Sequence, residues 1–183
     1  LAVATHDVGR AEVKAGDAVV VFGGGPIGCL IALVSRHRGA HVKVVEINPY
    51  SPTSIPIKRT ALGRLKHEGA WVQEARDGRV VVYMGDDEQF EYIYRYVSNL
   101  PWRRAFRRGV HPLNDGVLYV ARFNADGSGD WLPLTPDQPA LTGWSTADIL
   151  INTRGAADKV GATKMDRAEW IDTFPDSLTA IAT

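Results

Sequence analysis

A proline-rich segment divides this chain into two pieces of different character. Pro49, Pro52 and Pro56 fix the backbone φ angle and remove amide donors, so neither a helix nor a regular paired strand can continue through them. Only two of the five phenylalanines, six tyrosines and five tryptophans precede residue 51. The sequence therefore predicts a domain boundary there, with residues 1–50 and 51–183 as two units of separate origin.

Composition limits the partners of the chain. An apolar fraction of 45% over 183 residues is enough for a buried core, and 21 basic residues balance 21 acidic ones. No apolar run approaches the roughly 18 residues of a membrane span. The single cysteine, Cys29, excludes an internal disulfide, and the four arginines within 101–109 are interpreted as a solvated loop. We expect neither nucleic acid nor a membrane as partner.

A phosphate-binding turn is the main feature of the first unit. The apolar run Ala18–Phe22 predicts a buried parallel strand, 27–37 predicts a helix, and Val42–Glu46 predicts a second strand. Between the first strand and the helix, the G-x-G-x-x-G spacing is made by Gly23, Gly25 and Gly28. In a βαβ unit such glycines let the backbone approach a pyrophosphate, which the helix N-terminus then binds.

The acid at the end of the second strand completes a dinucleotide-binding pattern. Glu46 would accept hydrogen bonds from the adenosine ribose hydroxyls, which favours NAD over NADP. Residues 2–48 resemble the zinc-dependent medium-chain dehydrogenases, close to the sorbitol and threonine dehydrogenase branch. The resemblance implies NAD as a cofactor and a Rossmann-like βαβ fragment without that family's zinc ligands or proton relay.

Hairpin signals dominate the second unit. One hairpin is predicted from an Asp-Gly turn flanked by the runs Trp71–Glu74 and Val80–Met84. A second hairpin is predicted from Val117–Phe123 and Asp130–Leu134, which flank a glycine-rich turn. Glu91–Val97 alternates charged or small residues with aromatic ones, which predicts another strand. This unit therefore consists mainly of antiparallel strands.

One helix is predicted near the C-terminus. Ser145 and Asp148 have the spacing of a capping box, and Trp144 and Ile149 that of a hydrophobic staple. Gly161 marks a stop near the far end. A single helix is expected between these signals.

Most of residues 54–171 resembles the PhoX-type alkaline phosphatases, which are calcium- and iron-dependent β-propellers that hydrolyse phosphate monoesters. The resemblance is carried by the runs ALGRLKHEGAWV, GRVVVYMGDDEQFEYIYRYVS, DGVLYVARFNADGSGDWLPL and KMDRAEW. It implies antiparallel β-hairpins of a partial β-propeller, enough for about two blades. The predicted fold class is thus α+β, with a Rossmann-like βαβ fragment followed by this partial propeller and one helix.

The same resemblance implies roles for individual residues. Glu68, Asp87 and Glu169 correspond to metal ligands, with Asp86 a weaker candidate, and Arg167 corresponds to the phosphate-contacting arginine. Arg167 and Glu169 are thus the catalytic candidates. Calcium takes six to eight oxygen ligands and iron accepts carboxylate, so clustered acids suit either metal. Acids beside glycine at hairpin ends equally fit solvated turn residues.

Three functions remain open at this point. The leading prediction is a PhoX-like phosphate monoester hydrolase fragment that uses calcium or iron, with weak or no activity because its ligand set is incomplete. The second is an NAD(H)-binding module, and the third is an inactive truncated fusion. The expected small-molecule partner is a phosphate monoester or a nucleotide. Exposed strand edges also predict self-association.

Overall fold

The structure is a computed structural model that describes residues 18–19, 41–42, 44–46, 50, 53, 55–169, 171–174 and 180–182. The chain divides into two compact units, Leu1–Arg59 and Thr60–Thr183. This division falls a few residues after the proline-rich segment. Each unit is described separately below.

Two short strand pairs are described in the first unit. Strands β1 (Ala18–Val19) and β2 (His41–Val42) pair in parallel, and β3 (Val45–Glu46) pairs antiparallel with β4 (Ile57–Lys58). Parallel pairing of β1 with β2 is the arrangement that a βαβ unit requires. The predicted helix over 27–37 and the three glycines Gly23, Gly25 and Gly28 lie outside the described residues. The Rossmann-like fragment therefore stays a prediction.

The second unit contains a sheet of five antiparallel strands. In chain order, the strands from β5 onward are β5 (Trp71–Glu74), β6 (Arg79–Gly85), β7 (Gln89–Glu91), β8 (Ile93–Pro101), β9 (Gly116–Phe123) and β10 (Gly129–Pro133). The order across the sheet is β5-β6-β8-β9-β10, with β5 and β10 at its edges. Both predicted hairpins are confirmed, because β5 pairs with β6 and β9 pairs with β10.

Both faces of the central strands are buried. On one face, Val82, Tyr94, Tyr96 and Val120 are no more than 1% exposed. On the other face, Val81, Tyr83, Ile93 and Ala121 form an apolar cluster with Ala168 and Ile171. Alternate residues of a strand point to opposite faces, so near-continuous apolar runs such as VVVYM are needed to fill both sides.

A short helix replaces the loop predicted for the arginine-rich segment. Helix α1 (Trp102–Arg107) directly follows β8. Trp102 and Phe106, four residues apart on the helix, meet edge to face with ring centroids 6.2 Å apart. The Arg103 guanidinium stacks over the Trp102 ring at 4.2 Å. The loop prediction was wrong because these aromatic and cation–π contacts support a helical turn.

The single helix predicted near the C-terminus is in fact two. Helix α2 (Thr146–Ile151) begins at the predicted capping box of Ser145 and Asp148, and α3 (Thr153–Val160) ends at Gly161 with φ of 73°. The capping box and the glycine stop are therefore confirmed.

Side-chain and tertiary contacts meet the helical carbonyls where the chain breaks between α2 and α3, and the Arg64 amide donates to Leu150 O at 2.9 Å. Asn152 Nδ2 donates to Asp148 O at 3.2 Å, and Thr153 Oγ1 donates to Leu150 O at 2.9 Å. The Thr153 hydroxyl also accepts a hydrogen bond from the Arg64 amide at 3.0 Å. Short polar side chains that bond nearby backbone groups interrupt a helix in this way.

The remaining elements are short. Strand β11 (Met165–Asp166) pairs with β7, and β12 (Ile171–Thr173) pairs with β13 (Ala180–Ala182). The described part of the chain is mainly β-structure with few helices. None of the helices in that part is long and apolar enough to cross a membrane. The expectation of about two propeller blades stays a prediction.

Candidate functional site

Segments that carry the predicted site residues meet at Gly85, the last residue of β6. The Glu68 amide donates to Gly85 O at 3.3 Å. A Cβ atom on Gly85 would lie 2.2 Å from Ala168 O and 2.9 Å from Glu169 O, so the backbone of these two residues packs directly against the glycine. Any side chain here would separate the strand end from residues 168–169. The fold thus brings the backbones of Glu68 and Glu169 to the strand end that leads to Asp87.

Asp87 and Arg167 form an ion pair in the structure. Arg167 Nε donates to Asp87 Oδ1 at 3.0 Å, and the Asp87 amide donates to Lys66 O at 3.1 Å. The Asp87 side chain is 4% exposed, whereas that of Arg167 is 55% exposed. A buried carboxylate therefore holds one edge of a guanidinium that remains accessible to solvent.

The backbone of Arg167 has an unusual conformation. Its φ angle is 58°, in the left-handed region that glycine adopts readily and most other residues avoid. Such outliers persist only where the surrounding structure enforces them, and they concentrate at functional sites. Here the next residue, Ala168, packs against Gly85, and the side chain of Arg167 itself is paired with Asp87; both contacts restrain the Arg167 backbone.

Asp86, next to Asp87, is fully buried and makes a different ion pair. Arg154 Nε donates to Asp86 Oδ2 at 2.8 Å and Arg154 NH2 donates to Asp86 Oδ1 at 2.7 Å. The Lys66 amide also donates to Asp86 Oδ1, at 3.2 Å. Both oxygens of Asp86, the weaker candidate ligand of the sequence analysis, are thus hydrogen-bonded within the protein.

Further charged groups surround this ion pair. Glu91 Oε2 lies 3.7 Å from Arg154 Nε. Burial raises the pKa of Glu91, the negative charges of Asp86 and Asp158 raise it further, and the positive charge of Arg154 opposes the change. The hydrogen bonds to Asp86 raise the pKa of Arg154. Arg154 therefore stays charged, and its charge is shared between two carboxyl groups.

The backbones of the predicted metal ligands Glu68, Asp87 and Glu169 lie near one another, but their side chains do not form a cluster. Glu68 is half-buried, Asp87 is buried and Glu169 is exposed. Within the described residues, no three His, Cys, Asp or Glu side chains are placed to hold a metal ion. The acids of this part of the chain do not by themselves fit a calcium or iron site, which needs several oxygen ligands around one point.

In the first unit, Glu46, the last residue of β3, makes an ion pair. Arg59 Nε donates to Glu46 Oε2 at 2.8 Å, and the side chains are 3% and 39% exposed respectively. A ribose would have to share this carboxylate with Arg59. The role of Glu46 toward NAD stays a prediction.

Comparison with known proteins assigns the larger part of the chain. The sequence model of the alkaline phosphatase PhoX family matches residues 34–181. The chain belongs to the PhoX family. A solved structure, Pseudomonas fluorescens PhoX in complex with vanadate, a transition state analogue, is 49% identical with a TM-score of 0.62. That similarity covers 70% of this chain and 24% of the PhoX chain.

A second, shorter similarity is to dehydrogenases. The chain is 54% identical over 48 residues to 2-dehydro-3-deoxy-L-galactonate 5-dehydrogenase of Pseudoalteromonas atlantica. It is 50% identical over 48 residues to a probable D-xylulose reductase A of Arthroderma otae. These matches cover 26% of this chain but only 14% and 13% of the two enzymes. The predicted two-part resemblance, to dehydrogenases and to PhoX, is confirmed.

Sequence reasoning missed Arg154. It lies within the predicted C-terminal helix, and no local pattern links it to Asp86, which is 68 residues earlier in the chain. Similarly, Asp87 and Arg167 were assigned separately, and their direct contact over 80 residues comes only from the fold. Nothing in the sequence showed that Asp86 would be buried and would therefore need a basic partner.

Proposed function

We propose that the second unit binds the phosphate group of a phosphate monoester at Arg167. The observation that carries this proposal is the strained, left-handed backbone of Arg167, whose guanidinium is held at Nε by the buried Asp87 and is otherwise largely exposed. A guanidinium offers several donors in a planar fork that matches phosphate oxygens. Asp87 orients this fork, and the terminal NH2 groups donate to the anion.

The reaction we propose is hydrolysis of the phosphate monoester, in keeping with the family. Arg167 binds and orients the phosphate group and neutralises part of its charge. Glu68, Asp87 and Glu169 would contribute carboxylate oxygens to calcium or iron. Such a metal would supply charge neutralisation and an activated water. Because the described acids do not form a metal site alone, weak activity is expected.

The architecture implied by the family belongs to the same proposal. The antiparallel sheet of β5, β6, β8, β9 and β10 would be part of a β-propeller, with its edge strands available for further pairing. Self-association through these edges is expected where nothing else covers them.

Calorimetric titration with inorganic phosphate tests the binding site. The wild type and Arg167→Lys are compared in calcium-containing buffer, followed by turnover of p-nitrophenyl phosphate. Lysine keeps the positive charge beside Asp87 but loses the planar fork, so affinity should fall by about tenfold, the effect of losing a hydrogen bond to a charged group.

A matched control is Arg122→Lys, which alters an exposed arginine–aspartate pair between β9 and β10. It should bind phosphate as the wild type does. Equal phosphate affinity in all three proteins, or phosphate binding by none, would contradict the proposed site.

NAD(H) binding by the first unit is a second candidate function. It is favoured by the 54% identity to a dehydrogenase over 48 residues and by the parallel pairing of β1 with β2. Enhanced NADH fluorescence on binding should be seen with the wild type and lost in Gly25→Val, because a side chain there would block the pyrophosphate. Gly69→Val, in the second unit, is the control. Failure of both the phosphate and the NADH titrations would favour an inactive fusion.

A further inference from the structure

The buried carboxylate of Asp86 connects three parts of the second unit. Its Oδ1 accepts from the Lys66 amide at 3.2 Å, and both of its oxygens accept from Arg154 at 2.7 and 2.8 Å. Arg154 belongs to α3, and Asp86 itself follows β6. A helix is thereby tied through one side chain to two segments that lie far from it in sequence.

The two segments joined by Asp86 carry two of the candidate site residues. The Asp87 amide donates to Lys66 O at 3.1 Å, and the Glu68 amide donates to Gly85 O at 3.3 Å. These two backbone hydrogen bonds and the Asp86 carboxylate link the segments 66–68 and 85–87. The Asp86 side chain adds a third link between these two segments, directly beside Asp87, which is paired with Arg167.

We propose that Arg154 is a positioning residue for the candidate site. Acting through Asp86, it fixes the relative placement of the segments that carry Glu68 and Asp87, and so determines where Asp87 holds Arg167. What the site binds rests on the proposed function, but the placement does not. Asp86 is 0% exposed and its charge requires a partner, and a bidentate guanidinium restricts the carboxylate in distance and in orientation.

The contacts of Arg154 are consistent with positioning rather than with binding an anion. Its Nε and one NH2 group are both bonded to Asp86, and the carboxyl oxygen of Glu91 lies 3.7 Å from Nε. Two carboxyl groups already surround the guanidinium, so a phosphate would meet negative charge there. Arg167, by contrast, contacts one carboxylate and is more exposed.

The test is the NMR signal of the Arg167 side-chain Nε–H in the full chain, without phosphate. Arg167→Lys identifies the signal by removing it. In Arg154→Lys the charge next to Asp86 is kept but the bidentate geometry is lost. We expect the Arg167 Nε–H signal to shift and its exchange with solvent to accelerate by about tenfold, the effect of losing one charge-assisted hydrogen bond. The Asp87 and Glu68 amides should exchange faster as well.

A merely structural role for Arg154 would give a different pattern. Loss of global stability would accelerate the slowest amides of β6 and β8, whose ladder pairs Val82 with Tyr96, by the same factor as the site amides. Positioning requires a larger acceleration at the site than in the sheet. An unchanged Arg167 signal, or equal acceleration throughout, would overturn the proposal.

Two further proteins keep the test decisive. Asp86→Asn preserves the shape of the side chain but places an NH2 group against the Arg154 donors, so it should reproduce the Arg154→Lys pattern. Arg122→Lys, in the exposed pair with Asp130, should leave the Arg167 signal unchanged. Added inorganic phosphate then separates the two proposals. A wild-type Arg167 signal that phosphate does not move would refute the proposed function, while the phosphate-free comparison still decides the role of Arg154.

Discussion

Gly85→Ala probes the contact on which the geometry of the candidate site depends. The new Cβ would lie 2.2 Å from Ala168 O and 2.9 Å from the Ala168 carbonyl carbon. An ordinary carbon–oxygen contact is about 3.3 Å, so the backbones must separate by roughly 1 Å. Both of these neighbours are backbone atoms rather than the end of a flexible side chain, and the movement must therefore displace residues 167–169 away from Asp87.

The expected size of the effect follows from overpacking. Forcing an extra methyl group into a close-packed contact costs typically about 1–3 kcal/mol. For a chain of this length, about 2 kcal/mol corresponds to a fall of roughly 5 °C in the melting temperature. Phosphate binding at Arg167 should weaken in addition, because its partner Asp87 lies on the other side of the widened contact.

Gly69→Ala is a matched control for this experiment. An added Cβ at Gly69 would meet no atom within 4 Å. Thermal unfolding followed by circular dichroism, together with the phosphate titration, should therefore distinguish the two alanine variants. If Gly85→Ala melts and binds as Gly69→Ala does, the close contact between the strand end and residues 168–169 does not organise the site.

Three further predictions concern the second unit. The buried Tyr94 hydroxyl has no hydrogen-bond partner among the described residues, whereas that of Tyr96 donates to Pro112 O at 2.7 Å. In urea unfolding, Tyr94→Phe should therefore be neutral or stabilising, and Tyr96→Phe should lose about 1 kcal/mol of stability. The reverse order would contradict this reasoning. Burial raises the pKa of Glu91, so the folded protein resists ionisation of this carboxyl group and loses stability as pH rises through its pKa. The stability of Glu91→Gln relative to wild type should therefore increase from about pH 4 to pH 7. A stability difference that stays constant over this range would refute the prediction. Ser145→Ala removes the capping box of α2 and should lower the free energy of unfolding by about 1 kcal/mol. An equal loss in the neighbouring control Thr146→Ala would refute the role of the capping box.

Local signals in the sequence predicted the hairpins well. The Asp-Gly turn before β6 places Gly78 at φ of 80°, and apolar runs flank it on both sides. Capping at Ser145 and termination at Gly161 were predictable for the same reason, since each depends on residues a few positions apart. Elements whose cause is local can be derived from one sequence.

Elements that depend on tertiary contacts were not predicted. The break between α2 and α3 depends partly on Thr153, whose hydroxyl bonds the amide of Arg64 from a distant segment. The arginine-rich segment was interpreted as a loop because charge dominated its composition, but its aromatic pair forms a helical turn. At Thr153 tertiary packing decided the outcome over local preference, whereas in the arginine-rich segment a local contact between residues four apart did so.

The candidate site was predictable only as separate residues. Family resemblance identified Asp87 and Arg167, but their contact, and the neighbouring contact of Asp86 with Arg154, join residues 80 and 68 positions apart. Two adjacent acids, Asp86 and Asp87, are thus assigned to different arginines. Composition and spacing contain no information that distinguishes the two pairs.

A crystal structure of the chain with orthovanadate and calcium would test the central claim most directly. We predict vanadate oxygens within hydrogen-bond distance of the Arg167 guanidinium, with Asp87 still bonded to Nε and Arg154 still bonded to Asp86. Vanadate bound away from Arg167, or an Arg167 side chain that has left Asp87 in crystals that hold vanadate elsewhere, would contradict the account.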